Sequence, residues 1–440
     1  MPEKAFSVCI KDSVFIDPAC GSGNFLTETY LSLRKLENEA LSMLLGGQIT
    51  FDLENLSPIK VSIKQFYGIE INDFAATVAK TALWIAESQM MKQTEDIVHM
   101  NLDFLPLKTY VNIVEGNALR IDWESVVPKA ELNYIMGNPP FVGYSLQSEE
   151  QKKDILSIYV DEKGKSYKTA GKIDYVAGWY WKAAQLIQGT NIRTAFVSTN
   201  SITQGEQVAG IWKPLYDRFG IHIDFAHRTF RWDSEASLKA QVHCVIVGFS
   251  SAPNPAPRVL YSSDRAQVSK NINAYLMPAP NIFLESRNKP LCDVPTMSSG
   301  GKPVDGGNLI FTAKEKVEFL TKEPAAEKYF RRFIGSDDFI NGFERWCLWL
   351  VDINPRELRQ LPLVVERVEA VRKFRLSSSK AATRACADSP SRFMEIKQPK
   401  GDFLIVPEVS SERRRYVPIG YAEGELICSN KVRFLPNASL

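Results

Sequence analysis

The segment that most constrains this 440-residue chain is a glycine-rich turn between a short apolar strand and a long helix. Val14 to Ile16 predict the strand, and Asn24 to Leu45 predict the helix. Between them, Gly21 and Gly23 let the backbone turn tightly and approach a ligand without a Cβ clash. A helix that starts directly after such a turn points its free N–H groups at that ligand. The segment therefore indicates a nucleotide-like cofactor site in a doubly wound fold.

Strand-like and helix-like patterns alternate over the first 250 residues, which predicts an α/β domain with a largely parallel sheet. We predict a seven-stranded doubly wound, Rossmann-like sheet. Its last two strands, Ile221 to Ala226 and Val242 to Phe249, have no helix between them, so we expect them to be antiparallel neighbours. Three prolines between Ser250 and Arg258 indicate a linker or a sharp exit. The predicted organisation is a cofactor domain at 1–250, a linker at 251–280 and a mixed α+β domain at 281–440.

Two further segments follow predicted strands and carry candidate ligand groups. Glu70 ends the second strand, where a carboxylate can accept both hydroxyls of a ribose, although a lone Glu is more often a surface residue. Asn138, Pro139 and Phe141 follow another strand, in the sequence Asn-Pro-Pro-Phe. The prolines stiffen the backbone, so that the Asn138 side chain and the Pro139 carbonyl present two acceptors to one exocyclic amino group. A plain turn is the alternative, since Asn and Pro are both turn residues.

DPACGSGNF, GIEIN and GNPPF, in that order, resemble the amino-methylating DNA methyltransferases, which use S-adenosylmethionine to convert adenine to N6-methyladenine. KIDYVAGWYWKAAQLI, INGFERWCLWL and SNKVRFLPNASL resemble the MmeI-like branch of that group. Those are type IIL restriction–modification proteins, in which one chain methylates and cleaves DNA. The resemblance covers nearly all 440 residues. It implies that 281–440 is a target-recognition domain and that the partner is double-stranded DNA.

The resemblance also implies a role for each matching residue. Glu70 would hold the ribose hydroxyls of the cofactor, and Ile71 would pack on its adenine ring. Asn117 stands where many relatives have an Asp, and its Oδ1 can still accept from the adenine amino group. The target base would be held by Asn138, Pro139 and Phe141, with Phe230 or Trp232 on its second face unless these are ordinary core residues. The methionine portion of S-adenosylmethionine would be lined by Asp17, Ala19, Gly21 and Gly23.

The length of the chain and the Asn-Pro-Pro-Phe motif each leave an alternative open. Only sixteen residues precede Asp17, and the chain stops at Leu440, so the resemblance implies a truncated product without the upstream nuclease and cut short at its C-terminus. A DNA-binding remnant without turnover is therefore one alternative. Methylation of a cytosine amino group is another, because Asn-Pro-Pro-aromatic serves both reactions in relatives.

The net charge of +2 hides an asymmetry, because the 110 residues from Arg331 onward carry +5 and the rest carry −3. Basic side chains supply affinity for the DNA backbone. The candidate DNA-binding residues are Arg372, Lys373, Arg375, Arg413 and Arg414. The segment from Tyr144 to Gly171 carries five lysines and is predicted to be a long loop, either in contact with phosphates or solvated and mobile.

Other features exclude several classes of protein. The seven cysteines have no C-x-x-C spacing and the four histidines form no ligand set, so we expect neither a disulfide framework nor a bound metal. Glu395 and Lys397 match an E-x-K nuclease pattern with Asp388, but so short a match recurs by chance. With no signal peptide and no run of ~18–20 apolar residues, a cytoplasmic protein that does not enter a membrane is expected.

Overall fold

The computed structural model of the chain describes residues 10–46, 59–99, 112–232, 242–263, 265–287, 289–411 and 414–437. The chain divides into two compact units, Met1–Ser286 and Arg287–Leu440.

A nine-stranded sheet organises the first unit, in the order β3-β2-β1-β4-β5-β7-β6-β8-β9. The five strands from β3 to β5 are mutually parallel, and β7 lies antiparallel to both β5 and β6. The antiparallel pairing predicted for the last two of the seven expected strands is confirmed. The strands are β1 (Phe15–Asp17), β2 (Phe66–Glu70), β3 (Ile113–Glu115), β4 (Tyr134–Gly137), β5 (Arg193–Thr199), β6 (His222–Trp232), β7 (Val242–Ser250), β8 (Arg258–Ser262) and β9 (Arg265–Ser269).

Helices cover both faces of this sheet. Neighbouring residues of a strand point to opposite faces, and in β1 Phe15 packs with the core under α1 and α2, whereas Ile16 packs with the core under α4 and α5. Burial on both faces is typical of a doubly wound α/β sheet, and the predicted fold class is confirmed. The helices are α1 (Asn24–Gly46), α2 (Asp73–Val98), α3 (Glu149–Ile158), α4 (Ala177–Leu186) and α5 (Gly205–Phe219).

Two segments differ from the sequence predictions. The hairpin of β8 and β9 lies inside the segment predicted to be a linker, and β8 extends the sheet by pairing with β6. The proline-rich 251–257 before the hairpin and 270–280 after it are free of strand. The segment predicted to be a long loop contains α3. This helix begins with a capping box in which Ser148 and Gln151 each bind the other's backbone N–H, which offsets its low apolar content.

The second unit is mixed α+β, as predicted. Its two four-stranded sheets have the orders β10-β17-β14-β15 and β11-β13-β12-β16. None of the helices in the described ranges is long and apolar enough to cross a membrane. The strands are β10 (Ser298–Ser299), β11 (Ile310–Thr312), β12 (Phe330–Ile334), β13 (Arg345–Leu348), β14 (Phe403–Pro407), β15 (Gly420–Ala422), β16 (Ile427–Cys428) and β17 (Val432–Pro436). The helices are α6 (Ala313–Lys322), α7 (Ser336–Asn341), α8 (Pro355–Leu358), α9 (Pro362–Leu376) and α10 (Ala381–Ala385).

Candidate active site

The candidate site lies where four parallel strands end. The chain passes from β1 to β2 and β3 on one side and then places β4 on the other side of β1, which creates a topological switch point. Doubly wound sheets bind ligands in the crevice outside such a point. A cavity of about 520 Å³ opens here, within the range of small-molecule sites. Its lining includes Ala19, Glu70, Asn117 and Asn138, one residue from the loop after each of β1, β2, β3 and β4 or from the strand end itself.

The glycine-rich turn is built so that α1 starts close to α2. Gly23 has φ +82°, and a Cβ on it would lie 2.9 Å from the Ala79 Cβ of α2. Both constraints favour glycine, because L side chains rarely adopt this φ and the neighbouring helix leaves no room. The turn is tied to β2 by the Cys20 N–H, which donates to the Ile69 carbonyl at 3.1 Å. Gly21 and Gly23 thus shape the cavity and are not part of its lining.

Asp17 lies behind this turn and is buried, with 1% of its surface exposed. Its Oδ1 accepts from the Ala19 N–H at 2.9 Å. A Cβ on Gly137 would lie 2.4 Å from that oxygen, so β4 can approach the carboxyl group only with a glycine at this position. The pKa of Asp17 is raised to about 7, chiefly by burial; the Ala19 hydrogen bond opposes this rise, and the charge of Glu70 contributes to it.

Glu70 joins the first two loops through its carboxylate. Oε2 accepts from the Gly21 N–H at 2.8 Å, and Oε1 accepts from the Asn72 N–H at 3.0 Å. Each carboxylate oxygen has a second lone pair, so acceptor capacity remains for a ligand in the cavity that Glu70 lines. The next residue, Ile71, also lines the cavity and leaves 68% of its surface exposed, which provides an apolar surface for a planar ring.

The loop after β4 contributes an acceptor without a partner. Asn138 Oδ1 is buried and has no hydrogen-bond partner among the described residues, although buried polar atoms are nearly always paired. Asn138 and Pro140 line the cavity, whereas Pro139 is buried and Phe141 is half-buried outside the lining. Asp174 stabilises the end of this loop, because its Oδ1 accepts from the Tyr144 N–H at 3.0 Å.

Asn117 is anchored by its own turn and by α3. Its Oδ1 accepts from the Leu119 N–H at 2.9 Å, and its Nδ2 donates to Asp154 Oδ2 at 3.0 Å. Asp154 also accepts from Arg120 Nε at 2.8 Å and from the Tyr175 hydroxyl at 3.1 Å. All four of these side chains, Asn117, Asp154, Arg120 and Tyr175, line the cavity.

Sequence reasoning missed the wall formed by α3 and α4. Trp179 of α4 lines the cavity, and its Nε1 donates to the Pro18 carbonyl at 3.0 Å, which fixes the turn after β1. The spacing of Ser148 and Gln151 could have predicted α3, since Ser-x-x-Gln is a capping-box pattern. Phe230 and Trp232, the two candidates for the second face of the base, lie near each other at the end of β6 and do not line the cavity.

The candidate DNA-binding residues of the second unit do not share one environment. Arg372, Lys373 and Arg414 are exposed, and Arg372 lies 4.0 Å from Glu369 of the same helix. Arg413 lies outside the described residues. Arg375 is 1% exposed, and its guanidinium donates to the carbonyls of Val304, Cys386, Ser389, Pro303 and Arg392. The prediction of a DNA contact is wrong for Arg375, because its donors already stabilise the core of the second unit.

The histidines, the cysteines and the residues of the E-x-K pattern are the other chemistry-bearing groups of the sequence. Among the described residues, no group of three or more His, Cys, Asp or Glu is arranged to hold a metal ion. Glu395 and Lys397, from the E-x-K pattern, form an ion pair with each other at 3.4 Å. Six of the cysteines are free thiols in the described part of the chain.

Two protein-family models match the chain. Residues 4–262 match the model of the MmeI DNA-methyltransferase domain, and residues 278–440 match the model of the MmeI target recognition domain. Among curated proteins, DNA methyltransferase A of Bacillus subtilis (strain 168) is 40% identical over 432 residues. That alignment covers 97% of this chain and 48% of the relative, so the chain spans about half the length of the curated protein it matches.

A solved structure also matches over the whole chain. It is the type IIL restriction-modification enzyme MmeI in complex with DNA, which is 45% identical with a TM-score of 0.87. The match covers 100% of this chain and 58% of that one.

Proposed function

This chain belongs to the MmeI family, in which a DNA methyltransferase domain is followed by a target recognition domain, and we propose that it methylates double-stranded DNA. The proposed reaction moves a methyl group from S-adenosylmethionine to the exocyclic amino group of a flipped adenine, within a restriction–modification system. The observation that supports this most directly is the unpaired Asn138 Oδ1, which borders the same cavity as Glu70 and Ile71.

The residues around the cavity fit S-adenosylmethionine. Glu70 has free lone pairs for the ribose hydroxyls, and Ile71 offers an apolar surface to the adenine ring. Asn117 Oδ1 keeps one lone pair for the adenine amino group. Asp17, Ala19, Gly21 and Gly23 would form the methionine end. When bound, the cofactor supplies an electrophilic methyl group on a sulfonium.

Asn138 and the Pro139 carbonyl would hold the amino group of the target base as two acceptors. The base must leave the duplex to reach them, at a cost of a few kcal/mol. Stacking on Phe141 would recover part of that cost, about 1–3 kcal/mol by comparison with single-strand binding proteins. An adenine amino nitrogen is a poor nucleophile, because its lone pair is delocalised into the ring. Acceptors on both N–H bonds favour tetrahedral geometry at this nitrogen, so the gain in rate comes from placement and aligned dipoles.

The proposal is tested with Asn138→Ala. The full chain and the variant are expressed in cells that lack adenine and cytosine methylation, and their DNA is digested to nucleosides and analysed by mass spectrometry. We expect N6-methyladenine with the wild type and a loss of about 10²- to 10³-fold in the variant, the range for removing one aligned hydrogen-bonding group. Binding of S-adenosylhomocysteine should stay within a few-fold of wild type. Asn281→Ala changes an exposed asparagine outside the cavity lining and is the matched control.

The same experiment separates the competing functions. N4-methylcytosine in place of N6-methyladenine would identify the base as cytosine and overturn the adenine assignment. Unmodified DNA, with DNA binding retained, would identify a binding remnant. Unchanged methylation by the Asn138→Ala variant would remove Asn138 from the catalytic machinery.

A further inference from the structure

We propose that Asp154 is a positioning residue for cofactor recognition, because it fixes the side-chain amide of Asn117 with its oxygen ready to accept from the amino group of adenine. The inference rests on the proposed function, since it concerns the same cavity. Asp154 lies on α3, in the segment that follows the Asn-Pro-Pro-Phe loop, and is 6% exposed.

The hydrogen bonds around Asn117 leave its amide a single orientation. An ionised carboxylate only accepts, so the amide atom 3.0 Å from Asp154 Oδ2 must be the nitrogen. A backbone N–H only donates, so the atom 2.9 Å from the Leu119 nitrogen must be the oxygen. The two requirements agree, and each excludes the flipped amide. Asn117 therefore offers the cavity an acceptor, through the second lone pair of Oδ1, and not its NH₂ group.

Arg120 and Tyr175 also donate to Asp154 and fix the position of its carboxylate. Arg120 Nε donates to Oδ1 at 2.8 Å, and the Tyr175 hydroxyl donates to Oδ2 at 3.1 Å. The pKa of Arg120 is raised by its hydrogen bond to Asp154, and the pKa of Tyr175 is raised to about 12 by its burial and then by the charge of Asp154. These groups hold the carboxylate at the cavity wall, where its Oδ2 orients the amide of Asn117.

The hydrogen bond between Asn117 and Asp154 predicts how changes of charge at these two positions affect each other. An Asp at 117 would put two carboxylates about 3 Å apart, which disfavours two ionised groups. If 154 becomes Asn at the same time, its amide nitrogen can donate to the new carboxylate, whose other oxygen is still an acceptor. The pair should therefore tolerate exchange of the two side chains better than either single change.

The test compares the binding of two probes by isothermal titration calorimetry. One is S-adenosylhomocysteine, and the other is S-inosylhomocysteine, in which the amino group of the ring is replaced by a carbonyl oxygen. The full chain is compared with Asp154→Asn, Asn117→Asp and the double variant. Asp217→Asn, an exposed carboxylate on α5 outside the cavity lining, is the matched control. Thermal unfolding of each variant shows whether it is folded.

We expect the wild type and the control to prefer the adenosyl probe by at least about tenfold, the ratio for one net hydrogen bond. Asp154→Asn should lose most of that preference, and the double variant should regain it relative to Asn117→Asp. An equal loss of affinity for both probes, with the preference unchanged, would make Asp154 a purely structural residue and overturn the inference. Because rescue is read from Asn117→Asp and the double variant, it can be measured even if Asp154→Asn is unstable. A folded wild type that binds neither probe would overturn the proposed function itself, together with this inference.

Discussion

At the scale of single residues, Asp17 is a buried carboxyl group whose pKa is raised. Its pKa is raised to about 7 by burial, so the folded chain holds a proton there that the unfolded chain releases near the ordinary pKa of 3.8. Between pH of about 4 and about 7, the native state therefore binds one proton more at Asp17 than the unfolded chain does. The contribution of Asp17 to the free energy of unfolding falls as the pH rises through this range. A cationic ligand has the opposite preference, because it is attracted to the ionised carboxylate.

We therefore expect the affinity for S-adenosylmethionine to rise with pH through the pKa of Asp17. If only the ionised form binds, the dissociation constant should fall about tenfold between pH 6 and pH 8. The measurement is a calorimetric titration at several pH values with the wild type and Asp17→Asn, whose neutral amide cannot ionise. The variant removes only the contribution of Asp17, so the titration of the cofactor's own amino group cancels in the comparison. The same pH dependence in both proteins would show that Asp17 is not the group responsible.

The role of a residue was predictable where it acts within its own loop. It was less predictable where the residue binds groups from distant segments. Glu70 and Asn138 follow predicted strands, and both line the cavity, because parallel strands end at one edge of the sheet. Arg375 shows the limit. Its helix contains other basic residues with the same local pattern, and only the folding of residues 303–304 and 386–392 around it provides the five carbonyls that bury it.

At the scale of elements, the spacing of apolar residues and the breaks at glycine and proline predicted most of the first sheet. One helix, α3, was missed because the composition of its segment was misinterpreted. Strands β1 to β7 are short apolar runs, and their existence was predicted from the sequence, whereas β8 and β9 lie in the segment predicted to be a linker. The lysines of the segment 144–171 suggested a solvated loop, yet α3 forms there and carries Asp154. Its capping box compensates for its low apolar content, and this is a local interaction that composition does not reveal.

This capping box leads to a prediction about α3. Ser148→Ala removes the oxygen that accepts from the Gln151 N–H and should destabilise the helix by about 1 kcal/mol. Native-state hydrogen exchange should show faster exchange in α3, and binding of S-adenosylhomocysteine should weaken a few-fold, because α3 carries Asp154. Thr312→Ala is the matched control, since Thr312 caps α6 in the same way with Glu315. It should accelerate exchange in α6 alone. Unchanged protection of α3 in Ser148→Ala would mean that its packing, and not the cap, sustains it.

At the scale of the whole molecule, the asymmetry of charge bears on the proposed binding of DNA. The last 110 residues carry +5, and the preceding part carries −3. Several of the basic groups are not free for DNA: Arg375 is used by the core, and Arg345 donates to Asp338 at 2.7 Å. The charge available for the proposed phosphate contacts is therefore smaller than the count suggests, and exposed residues such as Arg372, Lys373 and Arg414 are the candidates for them.

We expect DNA binding to weaken steeply as the salt concentration rises. The slope of log K against log salt concentration should report the contacts between basic side chains and phosphates. Each neutralised phosphate contributes about −0.9 to the slope of log K against log salt concentration, because binding releases condensed counterions. The double variant Arg372→Ala/Lys373→Ala should therefore make the slope shallower by up to about two. Lys314→Ala/Lys322→Ala removes the same charge from exposed positions of α6 and is the matched control. Both slopes are measured by fluorescence anisotropy of a labelled duplex at 50–300 mM salt. Over this range the change in affinity is large for a protein that makes several phosphate contacts. Equal slopes for the two double variants would show that α9 does not contact the phosphates, and a salt-independent affinity would exclude backbone contacts as the source of binding.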